Sequence, residues 1–267
     1  MARPTSPHIA LIDSGIGGFS VLAEIEQKCA GITVSYFMDN LYLPYGELSE
    51  QSLLDRLERI VDFLQQQSPP DIIVIACNTA STQSLDFLRT RFKQTFVGVV
   101  PAIKPAANIS KSGCIGVLAT KATVQSPYIE RLIKDFASHC EVHKLGSSEL
   151  VHMAELHFWH EQPDQEDVVS LESLYQTDTV VLGCTHFPLI KQQIQSMLPD
   201  GIELVDSGAA IANRVCSLLG DGLLNDGTLD GETVAGEKHL YSTQRLSVDK
   251  HAKLADMGFN HVTCVAL

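Results

Sequence analysis

Short apolar runs alternate with longer amphipathic stretches along this chain of 267 residues. Several runs are almost continuously apolar, for example residues 72–76 and 180–182. Runs of this kind are typical of parallel strands that are covered on both faces. They predict strands at residues 8–13, 33–39, 71–77, 95–100, 113–120, 177–184, 201–206, 239–243 and 261–267.

Helical periodicity fills the intervals between these strands. Residues 49–67 place apolar side chains at spacings of three and four, which forms one apolar stripe on a helix. Ser126 and Pro127 are typical of an N-cap and a first helical position, so they predict a helix that continues to Phe136. Residues 152–159 and 167–175 are also predicted to be helical. Strands that alternate with helices indicate an α/β fold with mostly parallel sheets.

Two pairs of segments resemble each other within the chain. Residues 71–79 and 178–186 each form a buried strand pattern that ends in a cysteine and two polar residues, and residues 11–15 resemble 204–208. The simplest account is two similar α/β domains, with the active site in the cleft between them, because ligands bind outside the carboxyl ends of such strands. We predict these domain boundaries: residues 1–98 plus 208–267, and residues 99–207.

Composition and charge narrow the class of protein. The chain has 19 basic and 32 acidic residues, a net charge of −13, which fits neither a nucleic-acid-binding face nor a segment attracted to anionic membranes. No apolar run approaches the roughly 20 residues that span a bilayer, and the first residues lack the apolar core of a secretory signal. Seven cysteines without a CxxC pair favour free thiols in a reducing cytoplasm.

Two of the seven cysteines stand out by their position. Cys77 and Cys184 each lie where a predicted strand is followed by a helix N-terminus. The helix dipole and the free N–H groups favour an anion there, so a thiol pKa can fall from about 8.5 to roughly 3.5–7.5. We interpret the remaining cysteines as small buried hydrophobic residues: Cys29, Cys114, Cys140, Cys216 and Cys264.

The pair of strand-end thiols excludes some chemistries and favours another. A tyrosine-phosphatase loop needs an arginine six residues after the cysteine, where this chain has Gln83 and Ile190. A papain-like hydrolase uses one cysteine and leaves the second without a role. Stereoinversion at a carbon acid, in contrast, needs a base on one face and an acid on the other, with the two sulfurs roughly 7 Å apart.

Motifs for cofactors are weak. A metal site at Cys184 and His186 needs further ligands from distant segments, and the histidines at 152, 157 and 160 lack the HExxH spacing. The glycine-rich turn at residues 15–18 lacks the final glycine of a dinucleotide fingerprint, so we expect its backbone N–H groups to bind a carboxylate instead. We therefore expect no metal and no nucleotide cofactor in the reaction.

Several motifs together resemble one family. The chain is similar to the bacterial glutamate racemases, cofactor-independent members of the aspartate/glutamate racemase superfamily. The matching segments follow one another in the expected order and cover most of the chain: residues 12–18, 43–46, 76–80, 116–120, 183–188 and 205–208.

This resemblance implies roles for particular residues. Cys77 is implied as the base for D-glutamate and Cys184 as the base for L-glutamate, with Asp13 assisting the first, His186 the second, and Glu155 supporting His186. The implied substrate-binding residues are Asp13, Ser14, Tyr45, Gly46, Asn78, Thr79, Thr120, Thr185 and His186. It also implies an isomerase that supplies D-glutamate for the peptidoglycan of the cell wall. Family members are often dimers, so the resemblance allows a homodimer, but the sequence does not decide the oligomeric state.

Other functions remain open at this point. The same chemistry on aspartate or another amino acid fits equally, because the sequence does not show the depth of the pocket. A non-catalytic amino-acid-binding module would keep Asn78, Thr79 and Thr185 but would not need both thiols. A single-cysteine hydrolase would form an acyl-enzyme, which a racemase does not.

Overall fold

The computed structural model describes residues 6–162, 169–220, 228–229, 232–233 and 236–267, with the backbone alone at 228–229 and 232–233. Its strands are β1 His8–Asp13, β2 Thr33–Met38, β3 Ile72–Ile75, β4 Thr95–Gly98, β5 Cys114–Ala119, β6 Glu141–Gly146, β7 Thr179–Leu182, β8 Glu203–Val205, β9 Thr228–Leu229, β10 Glu232–Thr233, β11 Lys238–Ser242 and β12 His261–Cys264. Its helices are α1 Gly18–Lys28, α2 Glu50–Gln67, α3 Asn78–Arg91, α4 Ile103–Ile109, α5 Lys121–Val124, α6 Pro127–Phe136, α7 Glu149–Trp159, α8 Lys191–Ser196, α9 Gly208–Leu219 and α10 Val248–Asp256.

Two parallel sheets organise the molecule. The larger sheet has the order β12-β11-β2-β1-β3-β4 and the smaller one the order β6-β5-β7-β8. The four strands β2-β1-β3-β4 and the four strands β6-β5-β7-β8 therefore follow the same topology. The predicted fold, two similar α/β units with parallel sheets, is confirmed, while the exact domain boundaries stay a prediction.

The repeated segments of the sequence correspond only in part to this topology. The similarity between residues 71–79 and 178–186 relates β3 to β7, which hold equivalent places in the two sheets. The second similarity relates the end of β1 to the end of β8, and these strands are not equivalent. That likeness arises because both segments are apolar strands followed by a helix start.

Predicted capping and periodicity explain the best-formed helices. The Ser49 hydroxyl accepts a hydrogen bond from the N–H of Ser52 at the start of α2, and Ser126 accepts one from Ile129 at the start of α6. Both helices begin and end where the sequence predicts. The apolar stripe of α2 faces the core through these buried residues: Leu53, Leu57, Ile60, Val61 and Leu64.

The sequence-based elements are wrong in several places. The two-residue strands β9 and β10 were not predicted. Strand β6 was not predicted either, because it is a sheet edge with no buried position and no run of apolar residues. The predicted helix at 167–175 begins outside the described residues, and its described part forms only a 3-10 turn at Glu172–Leu174. Helix α7 starts at Glu149 rather than at residue 152, because its first turn also buries Leu150 and Val151.

The cysteines depart from the expectation of free thiols, five of them buried as small hydrophobic residues. Cys29, at the end of α1, forms a disulfide with Cys216 in α9, so these two are not free. Cys114 at the start of β5 and Cys140 just before β6 are half-buried, and Cys264 at the end of β12 is exposed. Within the part of the chain that is described, no helix has the length and apolarity needed to cross a membrane.

Candidate active site

The candidate catalytic residues lie at the carboxyl ends of adjacent strands. Asp13 is the last residue of β1, and Cys77 follows the neighbouring β3 as the N-cap of α3. In the smaller sheet Thr120 follows β5, and Cys184 follows the neighbouring β7. Cys77 and Cys184 are each two residues beyond the end of their strand, so the two units present their thiols from equivalent positions.

Glycines let the backbone of one unit lie directly against side chains of the other unit. The turn at residues 14–18 lies against the segment that carries Cys184, and a Cβ atom at Gly15 or Gly17 would collide with Glu155, Thr185 or His186. The N–H of Ile16 donates to Oε1 of Glu155 at 2.9 Å. This close approach explains the glycine-rich sequence without any nucleotide.

Cys184 lies at one end of a buried chain of polar groups. Its Sγ is 3.8 Å from Nδ1 of His186, and Nε2 of His186 is 2.9 Å from Oε1 of Glu155. The indole N–H of Trp159 donates to Oε2 of the same glutamate at 3.0 Å. Both oxygens of Glu155 are therefore held in place, which fixes the orientation of the imidazole.

The electrostatics of this chain favour a charged pair. Burial alone lowers the pKa of His186, but its contacts with Cys184 and Glu155 outweigh burial and raise the pKa well above its ordinary value. Burial alone raises the pKa of Glu155, but the hydrogen bonds from His186 and from the backbone of Ile16 bring it below its ordinary range. An imidazolium next to a carboxylate is the form that both shifts support.

Cys77 has a different environment. Burial raises its pKa well above the ordinary value, and the nearby Asp13 charge adds to this, although N–H groups at the start of α3 act in the opposite direction. The low thiol pKa that the helix N-terminus predicts is therefore wrong for Cys77, because desolvation is larger than the effect of the helix. Burial also raises the pKa of Asp13, which accepts hydrogen bonds from the N–H of Gly15 and the hydroxyl of Thr185.

Asn78 offers an amide donor without a partner. Its Nδ2 is buried and makes no hydrogen bond in the described structure. A buried amide that lacks a partner is costly, and a bound carboxylate would satisfy it. Asn78 stands directly after Cys77, so the unsatisfied donor is next to one of the two thiols.

The other predicted substrate-binding residues also lie around the thiols. The hydroxyls of Thr79 and Thr120 are 2.9 Å apart, across the boundary between the two sheets, and Gly46 packs against Thr120. Ser14 is buried in the glycine-rich turn. The hydroxyl of Tyr45 donates to Asp39 at 2.8 Å, so its one donated hydrogen bond is made within its own unit.

The two thiols belong to one buried region. Cys77 is 9% exposed and Cys184 is 7% exposed, and Cys184 lies close enough to Cys77 to act on it electrostatically. A cavity of about 50 Å³ borders Asn78, Cys184 and Thr185, which is room for only a few water molecules. Both thiols are thus largely shielded from solvent, and buried surroundings strengthen hydrogen bonds to a developing charge.

Some contributors could not be found from the sequence. The backbone N–H of Ile16 carries no side-chain signal at all. Trp159 lies four residues after Glu155 on α7, and residues four apart are neighbours on a helix. This spacing would predict the contact once Glu155 is assigned to the site. The ion pair of Asp39 and Arg56, which anchors Tyr45, joins an irregular segment to α2 and depends on tertiary structure.

Comparisons with known proteins agree with this geometry. The family model described as Asp/Glu/Hydantoin racemase matches residues 9–215. The chain belongs to this family. It is 44% identical over 248 residues to the glutamate racemase of Pectobacterium carotovorum, which covers 89% of this chain and 82% of that protein. It is 41% identical over 273 residues to the glutamate racemase of Proteus mirabilis, covering 98% and 92% of the two chains.

Solved structures show the same relationship. The crystal structure of Escherichia coli glutamate racemase, in complex with L-glutamate and the activator UDP-MurNAc-Ala, matches with a TM-score of 0.80 and 37% identity over 98% of both chains. The glutamate racemase of Aquifex pyrophilus matches with a TM-score of 0.67 and 26% identity, covering 95% of this chain and 96% of that one. The sequence-based assignment to the glutamate racemases is confirmed, and the chain is an enzyme of that class.

Proposed function

We propose that this enzyme interconverts L-glutamate and D-glutamate by direct proton transfer between the α-carbon and two thiols. The observation that carries the proposal is the pair Cys77 and Cys184, which are both buried and occupy equivalent strand ends in the two units. Each thiol has its own polar companion, Asp13 for Cys77 and His186 for Cys184. An amino-acid-binding module has no need of this duplicated arrangement.

Protons balance in the proposed reaction from L-glutamate. In this reaction Cys184 acts as a thiolate, next to the imidazolium of His186 that Glu155 holds in place. The thiolate takes the α-proton from one face, and the thiol of Cys77 gives its proton to the opposite face. Cys184 ends as a thiol and Cys77 as a thiolate, so the reverse reaction starts from the product state.

Hydrogen-bond donors replace a cofactor in this proposal. The amide of Asn78 follows Cys77 directly, and the hydroxyls of Thr79, Thr120 and Thr185 and the backbone of the glycine-rich turn lie where the two units meet. Neutral donors that are already oriented stabilise charge strongly when water is excluded. They are the proposed binding groups for the two carboxylates of glutamate and for the transient carbanion.

Separate Cys77→Ser and Cys184→Ser variants test the proposal. We expect each to lose racemisation by at least about 100-fold, the lower end of what a positioned acid or base contributes. In deuterated water, Cys77→Ser keeps α-proton exchange on L-glutamate alone, and Cys184→Ser keeps exchange on D-glutamate alone, because one base remains in each. NMR and circular dichroism follow exchange and inversion separately.

The exposed Cys264 provides a matched control, because Cys264→Ser removes a thiol outside the site and should leave racemisation unchanged. Full racemisation by either active-site variant contradicts the two-thiol mechanism. Turnover of aspartate without turnover of glutamate would instead assign the same chemistry to the other substrate. Action in the cytoplasm and the supply of D-glutamate for peptidoglycan belong to this proposal, and rescue of a bacterium that requires D-glutamate tests that supply. The homodimer stays a prediction.

A further inference from the structure

Three potential metal ligands meet at the amino end of the smaller sheet, at the edge opposite the active site. Strands β5 and β6 pair in parallel, with Cys114 directly opposite Glu141 and with His143 two residues further along β6. Side chains two residues apart on a strand share a face, so all three side chains project to the same side. The thiol, carboxylate and imidazole ligand atoms lie within 4.8 Å of one another.

His143 has a ring nitrogen that its surroundings leave unsatisfied. Nε2 is buried and forms no hydrogen bond, although it lies 3.2 Å from Oε1 of Glu141. Nδ1 is 3.2 Å from the side-chain amide of Gln176. Because the amide oxygen and nitrogen are interchangeable in position, the Gln176 oxygen can accept a hydrogen bond from the N–H at Nδ1. That bond leaves the lone pair of Nε2 directed at the cluster, as in metal-binding histidines.

The electrostatic environment favours a cation. The carboxylates of Glu141 and Asp178 and the thiol of Cys140 all lie close enough to Cys114 to act on it electrostatically. The carboxylate of Asp178 is held by two hydroxyls and two backbone N–H groups, so it contributes charge rather than a ligand. A bound divalent ion would neutralise this group of charges and displace the thiol proton.

We infer that Cys114, Glu141 and His143 form a binding site for Zn²⁺ or a similar borderline transition-metal ion. One thiolate, one imidazole and one carboxylate are the ligand types that such ions prefer, and three protein ligands leave a fourth position for water. Tetrahedral ligand atoms with metal bonds of 2.0–2.3 Å lie about 3.3–3.8 Å from one another. Side-chain movements of about 1 Å would therefore bring these three ligand atoms to the distances that a bound ion requires. The ion would join the edge strand β6 to β5.

Metal titration of the full chain tests this inference. Co²⁺ reports a thiolate ligand through its near-ultraviolet charge-transfer absorption, and Zn²⁺ affinity follows from competition with a chromophoric chelator. We expect Cys114→Ser to abolish the Co²⁺ signal of this site. We expect both Cys114→Ser and His143→Gln to weaken Zn²⁺ binding by at least about tenfold.

The controls separate this site from the other thiols and histidines. Cys264→Ser and His261→Gln change the same residue types on β12 and should bind metal as the unchanged chain does. All four variants should retain racemisation in metal-free buffer, which shows that they fold and keeps this test independent of the proposed reaction. Zn²⁺ binding by Cys114→Ser and His143→Gln that equals the controls would overturn the inference.

Discussion

At the scale of single residues, the two thiols differ in what stands beside them. Cys77 has a buried carboxyl group, Asp13, as its neighbour, whereas Cys184 contacts an imidazole paired with Glu155. The raised pKa of Cys77 keeps its proton in place, and the raised pKa of His186 keeps the imidazole charged at neutral pH. These protonation states suit the reaction proposed for L-glutamate, in which Cys77 donates the proton.

The role of Glu155 can be tested through pH dependence. The raised pKa of His186 means that the imidazolium is lost only as the pH rises through that value. Glu155→Gln keeps the shape of the side chain and a hydrogen-bond acceptor but removes the negative charge, so the pKa of His186 falls. We expect the alkaline decline of kcat/KM to move to lower pH, and kcat at neutral pH to drop about 10- to 100-fold.

Trp159→Phe is the matched control, because it removes a donor to the other oxygen of Glu155 and leaves the bond to His186 intact. We expect its alkaline decline to stay near that of the unchanged enzyme. An unchanged pH profile in Glu155→Gln would show that Glu155 does not act through the charge of His186.

At the scale of secondary-structure elements, α2 anchors the segment that carries Tyr45 and Gly46. Arg56 on α2 makes two hydrogen bonds of 2.8 Å with Asp39, which also accepts the hydroxyl of Tyr45. Arg56 is 5% exposed and Asp39 is fully buried. This ion pair thus holds one wall of the site from behind.

Removing the cation from this pair should destabilise the protein strongly. Arg56→Met leaves the buried carboxylate of Asp39 without its charge partner, which costs about 3–5 kcal/mol of unfolding free energy. Arg91→Gln, which breaks the more exposed pair with Glu58, should cost only about 0–1 kcal/mol. Urea denaturation measures both, and equal small losses in the two variants would contradict the buried role of Arg56.

The elements also show what a sequence can and cannot predict. The central strands β1, β3, β5 and β7 are buried on both faces, so their apolar runs reveal them, and the position of Cys77 and Cys184 follows from the strand ends. The edge strand β6 lacks such a run, so the metal-ligand cluster that it carries could not be predicted. Glu155 came from family resemblance, and the unsatisfied amide of Asn78 is visible only in three dimensions.

At the scale of the whole molecule, the net charge of −13 opposes an anionic substrate. Salt screens such a field over about 30 Å at 0.01 M but over about 8 Å at 0.15 M. We expect kcat/KM for glutamate to rise with ionic strength across this range, by less than about tenfold. Steady-state kinetics in KCl measure this, with sucrose as an uncharged control. A steady fall with KCl would indicate a positive local field at the entrance.

The unlike partners of the two thiols have a consequence for handedness. The substrates are mirror images with equal free energy, so thermodynamics requires equal kcat/KM in the two directions. A protein built from L-amino acids cannot offer mirror-image surroundings to two enantiomers. Here the two thiols have different neighbours, Asp13 on one side and the His186–Glu155 pair on the other. Saturating rates and Michaelis constants are therefore free to differ between enantiomers, provided that they differ by the same factor.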